Sequence, residues 1–160
     1  MNRKIRRELW KCQRCKRAFA NLNQSHSCFL QPLEAHFRRK AISTEKLFSA
    51  LRKAVESNGP VTIVSSKTRI GFQTRMTFAA ISVRKDHLVG HLVLASRIPD
   101  ERFTKIETIS PRNHVHHFRL RDVRQLDARF RMLIREAYAV GNQEHLQSSS
   151  RKSSSSSDGR

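Results

Sequence analysis

Three cysteines, Cys12, Cys15 and Cys28, lie close to one histidine, His26, near the start of the chain. Thiolate sulfur with imidazole nitrogen is the donor set that zinc prefers. Cys12-x2-Cys15 is a knuckle spacing, in which the backbone N–H groups of the turn can donate to the thiolates. His26 and Cys28 follow ten residues later and would close a tetrahedron. Four protein ligands leave no position for a reacting water, so a Cys3His zinc here is expected to be structural, not catalytic. The His-x-Cys spacing is shorter than the usual three to five intervening residues and demands a turn or kinked strand. His36 is the reserve ligand. The competing reading is three ordinary buried cysteines beside a histidine, but all of them fall within one knuckle, which favours metal. Trp10 and Phe19 are the expected core of this segment, and Lys11, Arg14, Lys16 and Arg17 make it a compact cationic knob.

Acid–base chemistry has fewer candidates. His114, His116 and His117 cluster on one run. Two alternating histidines on a strand could serve as acid and base on a phosphodiester, with His116 and His117 as the catalytic candidates. The plainer reading is one packed and one exposed histidine. Lys67, Arg69, Gln73, Arg75 and His116 are the expected ligand-binding set, and with Arg84 and Lys85 would form a cationic concavity suited to phosphate if they share a face. A solvated, charged sheet face accounts for the same residues. Arg119 is out of phase with His116 and joins only if the strand bends. The acidic residues are scattered, and no Gly-rich phosphate loop is present.

The composition bounds the partners. The chain has 160 residues, 32 Lys plus Arg against 13 Asp plus Glu, and a net charge of +19. Such a chain attracts polyanions, and nucleic acid is the expected partner over a generic basic surface. No stretch approaches the roughly 18 apolar residues of a membrane span. The basic start is not followed by an apolar segment, so no secretory signal is expected. With an odd number of clustered cysteines, a reducing, cytoplasmic setting follows.

These residues need elements to hold them. Residues 1–9 read as a basic arm, 10–40 as a zinc knuckle with a short helix over Leu33–Phe37, 41–142 as an α+β domain, and 143–160 as a disordered Ser-rich tail. In the body, Ser43 is the expected N-cap of a helix carrying Leu47, Phe48, Leu51, Ala54 and Val55 on one stripe. Asn58-Gly59-Pro60 ends it. Branched and alternating runs at Val61–Val64, Ile70–Phe72, Phe78–Val83, His87–Leu94, Phe103–Ile109 and Val115–Leu120 predict strands, with Arg84-Lys85-Asp86 as a hairpin turn. Asp122 and Gln125 form a capping box for a closing helix with Val123, Leu126, Phe130, Leu133, Ile134, Ala137 and Tyr138 inward and Gly141 as its stop. Arg121, Arg124, Arg131 and Arg135 form a stripe on that helix. The predicted class is α+β: zinc knuckle, helix, antiparallel β-meander, helix.

The runs Trp10-x-Cys12-x2-Cys15-x3-Phe19, Asn23–Cys28 and Leu33-Glu34-x-His36-Phe37 resemble the bacterial family catalogued as domain of unknown function 5655. So do Gly59-Pro60-Val61, Ser66–Gln73, Val115–Phe118 and Glu136–Gly141. The resemblance implies no particular activity. Two readings of function remain. One is a nucleic-acid-contacting protein that uses its cationic surface. The other is an enzyme or small-ligand protein with a cationic pocket over the sheet for a phosphorylated or carboxylated ligand.

Overall fold

The computed structural model describes residues 6–147. The first five residues of the expected basic arm, and the serine-rich tail from 148, lie outside them. The knuckle holds a two-stranded ribbon, β1 (Trp10–Lys11) and β2 (Ala18–Phe19). A 3-10 turn at Leu33–Phe37 leads to helix α1 (Ile42–Glu56). Six strands follow: β3 (Thr62–Ser65), β4 (Ile70–Gln73), β5 (Thr77–Val83), β6 (Leu88–Leu94), β7 (Phe103–Ser110) and β8 (Asn113–Leu120). Helix α2 (Ala128–Gly141) closes the body. The α+β class predicted above is the observed one.

All paired strands are antiparallel, in the order β3-β4-β5-β6-β8-β7. Strand β8 lies between β6 and β7, so those two run parallel. Parallel strands usually need a connection of a dozen or more residues with a helix in it. Here residues 95–102 make the crossing without one. Two side chains tie the crossing down. His116, fully buried on β8, accepts at Nε2 from the Ile98 N–H at 3.0 Å. Arg102 binds Asp100 at 2.7 Å, Asp127 at 2.7 Å and the Gln125 carbonyl at 3.0 Å.

Both helices cover one face of the sheet. Leu47, Phe48, Leu51 and Val55 of α1 meet Phe130, Leu133, Ile134 and Ala137 of α2 over Ile70, Phe72, Ile81, Leu88, Leu92 and Phe118. Alternation along β8 sends His114, His116, Phe118 and Leu120 into this layer and Val115, His117 and Arg119 to the opposite face.

Three local expectations change. Ser43 is not the N-cap of α1; Ala41 is, and it provides no side-chain cap. The helix start is instead held by tertiary bonds, Ala41 N–H and Thr44 Oγ1 donating to the Lys85 carbonyl at 2.8 and 3.2 Å. The Asp122/Gln125 capping box exists, but it caps a 3-10 turn, Val123–Gln125. The helix proper starts at Ala128, capped by Asp127 accepting from the Phe130 N–H at 2.9 Å. Val123 is consequently exposed, not inward. Finally, α2 runs through Gly141, where an added Cβ would sit 2.5 Å from Phe78 and from Thr74. That glycine is required by close approach and not by a turn. Gly59, with φ of 140°, does adopt the positive φ expected of it.

Candidate metal centre and cationic sheet face

The knuckle turns where its sequence predicts. The Lys16 N–H donates to the Cys12 carbonyl at 2.8 Å and the Cys12 N–H to the Arg17 carbonyl at 2.9 Å, with Lys16 at a positive φ of 62°. This brings Cys12, Cys15, His26 and Cys28 together, all four ligand atoms within 4.8 Å of one another. A tetrahedron with metal–sulfur bonds of about 2.3 Å has edges of about 3.8 Å. Cys12 Sγ and Cys28 Sγ are 3.8 Å apart, and His26 Nε2 lies 3.3 Å from Cys15 Sγ and 3.4 Å from Cys28 Sγ. The donor set and spacing fit a metal ion.

His26 is presented correctly despite its short spacing from Cys28. Its Nδ1 donates to the Gln24 carbonyl at 2.6 Å, leaving the Nε2 lone pair facing the thiols. Phe19 packs on the ring at 4.3 Å and Trp10 meets it edge-on at 6.0 Å. Backbone N–H groups of Cys15 and Arg14 lower the Cys12 thiol despite its burial. Burial raises the Cys15 thiol, but the Arg17 N–H, the Arg17 side chain and its cluster partners bring it to about 6. Burial and the neighbouring thiols raise Cys28. His36 is not in the cluster. It is buried, and its Nε2 sits 3.1 Å from both Ser65 Oγ and Gln31 Nε2. Of the knob cations, Arg17 bonds the Ser27 carbonyl and lies over Phe19, while Lys11, Arg14 and Lys16 are exposed.

The five expected ligand-binding residues are not brought together. Gln73 is buried and donates to the Ala18 carbonyl at 2.7 Å, joining the knuckle to β4. Arg75 bonds Gln143 and the Arg7 carbonyl. His116 is buried beneath the β6–β7 crossing, with Nδ1 donating to the His114 carbonyl at 3.0 Å and Nε2 occupied by Ile98. Burial lowers its basicity, and no proton-transfer position is left on it. Only Lys67 and Arg69 remain on open surface. The arginine stripe expected along the closing helix is split, Arg121 and Arg124 lying before α2, and is largely engaged: Arg124 with Asp122, Arg121 with Asp86, and Arg131 with the Leu126 carbonyl.

The face without helices holds what the sequence did not group. A cavity of about 390 Å³ is lined by Arg69, Arg84, Lys105, Arg119, His91 and His117, with no Asp or Glu. A second, of about 660 Å³, adds Arg38, Lys40 and Lys67 and shares Arg69, Ser82 and Arg84 with the first. It is therefore His117, not His116, that joins the cations, and Arg119 lies in phase with it without any strand bend. His91 stands directly opposite His117 across β6 and β8. The period of two along β6 could have placed His91 on this face; its strand partner could not be read from spacing.

No curated protein and no solved structure matches the chain. Residues 33–141 match the family model for a domain of unknown function, DUF5655. The match begins at the 3-10 turn, after the knuckle, and ends at the last residue of α2. The body that carries the cationic face is thus the family's domain, and the chain belongs to the DUF5655 family.

Proposed function

We propose that Cys12, Cys15, His26 and Cys28 hold one structural zinc ion in a cytoplasmic protein. We further propose that the protein contacts nucleic acid through the helix-free face of its sheet. The supporting observation is the pair of adjoining cavities with seven cations between them: Arg38, Lys40, Lys67, Arg69, Arg84, Lys105 and Arg119. Among the described residues only Lys105 of these is in an ion pair. Cations left unpaired by their own chain release counterions when they meet phosphates, and that release drives binding. The units are the knuckle at 10–40 and the α+β domain at 41–142, with the knuckle's exposed Lys11, Arg14 and Lys16 as auxiliary contacts.

The test is fluorescence anisotropy with single-stranded and duplex oligonucleotides over a salt series. The log–log slope should be about −0.9 per phosphate neutralised on duplex and about −0.7 on single strands. Arg69→Ala should make it shallower by about one contact. Absence of affinity for DNA and RNA at low salt overturns the reading. The concave, carboxylate-free lining of the smaller cavity favours a second reading, a small phosphorylated ligand. That reading predicts that a mononucleotide competes as well as an oligonucleotide.

A further inference from the structure

We infer that the helix-free face is also a metal-independent RNA-cleaving site in which His91 and His117 act as the base and acid pair. This rests on the nucleic-acid reading above and adds chemistry to it. His91 on β6 and His117 on β8 are direct cross-strand partners, with ring centroids 5.8 Å apart and planes at 61°. Both line the smaller cavity. A phosphodiester seated over two imidazoles so placed can meet one at each of its reacting oxygens.

The two rings are held differently. Nε2 of His117 donates to Glu107 Oε2 at 2.7 Å, and Glu107 is itself bound by Lys105. That bond orients the ring and leaves Nδ1 for a second proton transfer. The His91 ring makes no hydrogen bond among the described residues, and the residue is half-buried. Burial holds its imidazole down at about 4, with His117 and Arg69 adding to the effect and Glu107 opposing it. It is therefore uncharged at neutral pH, and it is its place beside His117 in the cavity that offers it to a substrate proton. Gly71 and Ala80, the next residues in the same cross-strand row, are small and leave space beside it. Arg69, Arg84 and Arg119 ring the cavity where charge would build up on phosphorus.

The RNA 2′-hydroxyl supplies the nucleophile, so no co-reactant is needed. His91 takes the 2′-hydroxyl proton as that oxygen bonds to the adjacent phosphorus. The bond from phosphorus to the 5′-oxygen breaks, and His117, acting as the acid, delivers a proton from Nδ1 to that oxygen. The products are a 2′,3′-cyclic phosphate and a 5′-hydroxyl. One proton is taken and one returned, nothing is oxidised, and the two rings exchange protons with solvent to reset.

The experiment uses the full chain in magnesium-free buffer with a fluorescently labelled single-stranded RNA and its fully 2′-O-methylated counterpart. The expected result is that both bind, that only the unmodified RNA is cut, and that the fragments end in cyclic phosphate. His91→Gln and His117→Gln should each slow single-turnover cleavage on the order of 100-fold. Both variants should stay folded, with circular dichroism like the wild type, and the loss of cleavage should far exceed any loss of affinity for the methylated strand. Glu107→Gln should lower the rate at saturation without changing the concentration for half-saturation, since it acts by positioning His117. Binding of the methylated strand without cleavage of the unmodified one overturns this inference and leaves the binding reading standing. Failure to bind either strand overturns both. Cleavage that persists in His117→Gln assigns the activity elsewhere and also overturns it.

Discussion

At His116, Nδ1 donates to the His114 carbonyl and Nε2 accepts from the Ile98 N–H, so one neutral tautomer is locked in place. Its neighbour His117 points the other way, toward Glu107 and the cations. One step along a strand reverses the face, and with it the role. Replacing His116 by Leu removes the acceptor of the part-buried Ile98 N–H, which should cost about 1–3 kcal/mol in urea unfolding while leaving surface binding intact. At Gly141 the usual rule is reversed. Ala in a helix ordinarily stabilises over Gly by about 0.5–1 kcal/mol. Here the Cβ would collide with the Phe78 ring and Thr74 Oγ1. Gly141→Ala should therefore destabilise, by about 1–3 kcal/mol of overpacking, measured as a lowered urea midpoint. In the knuckle, Cys28→Ala removes one of four donors. Purified wild-type protein should carry about one zinc per chain by elemental analysis and the variant almost none, because a three-donor remnant opens the site to water.

The element that departs most from local rules is the β6–β7 crossing. It is short and irregular, and it is secured by a buried ion-pair network instead of a helix. Arg102 and Asp100 have side chains only 8% and 2% exposed, and Arg129 adds a second contact to Asp100 at 2.8 Å. The Arg102 and Arg129 guanidiniums hold the Asp100 carboxyl well below the ordinary carboxylate range, against its burial. Breaking one partner of such a pair leaves a buried charge exposed to no solvent. Asp100→Asn should cost about 3 kcal/mol in chemical unfolding, and hydrogen exchange should rise first at Ile98, where the crossing is pinned. The Asp100–Arg102 pair is local, two residues apart, but the bonds that fix it to the rest of the fold span 18 to 29 residues of chain and leave no local signature.

For the molecule as a whole, acid is the informative stress. His36, His91 and His116 are each pushed below the ordinary imidazole value, mainly by burial. A folded state that binds fewer protons than the unfolded chain gains stability as pH rises. Stability should therefore be fully present above about pH 6.5 and fall as pH drops toward the folded values, about 4 for His91. Each proton taken up on unfolding contributes a slope of about 1.4 kcal/mol per pH unit. The lowered Asp100 carboxyl works in the same direction at lower pH, its contribution being present above its ordinary range and lost below it. Urea midpoints between pH 7.5 and 4.5 (a range chosen about the imidazole value) test this. A flat profile contradicts the burial of these three rings.

The α+β class and both amphipathic helices followed from periodicity, because burial on one side imposes a repeat that is visible residue by residue. The Cys3His cluster that could hold a metal followed from composition and spacing, since a knuckle is a local structure: Cys12 and Cys15 meet through one turn, and His26 reaches Cys28 within three residues. The cationic residues were legible as charges but not as a group. Lys67 and Arg69 stay on open surface, whereas Gln73, Arg75 and His116 are drawn into structural bonds. What assembled the face was strand order. Insertion of β8 between β6 and β7 set His91 against His117 and brought Lys105 and Glu107 beside them. Strand pairing is a choice among distant partners made by packing of the whole sheet, and no spacing within the chain encodes it.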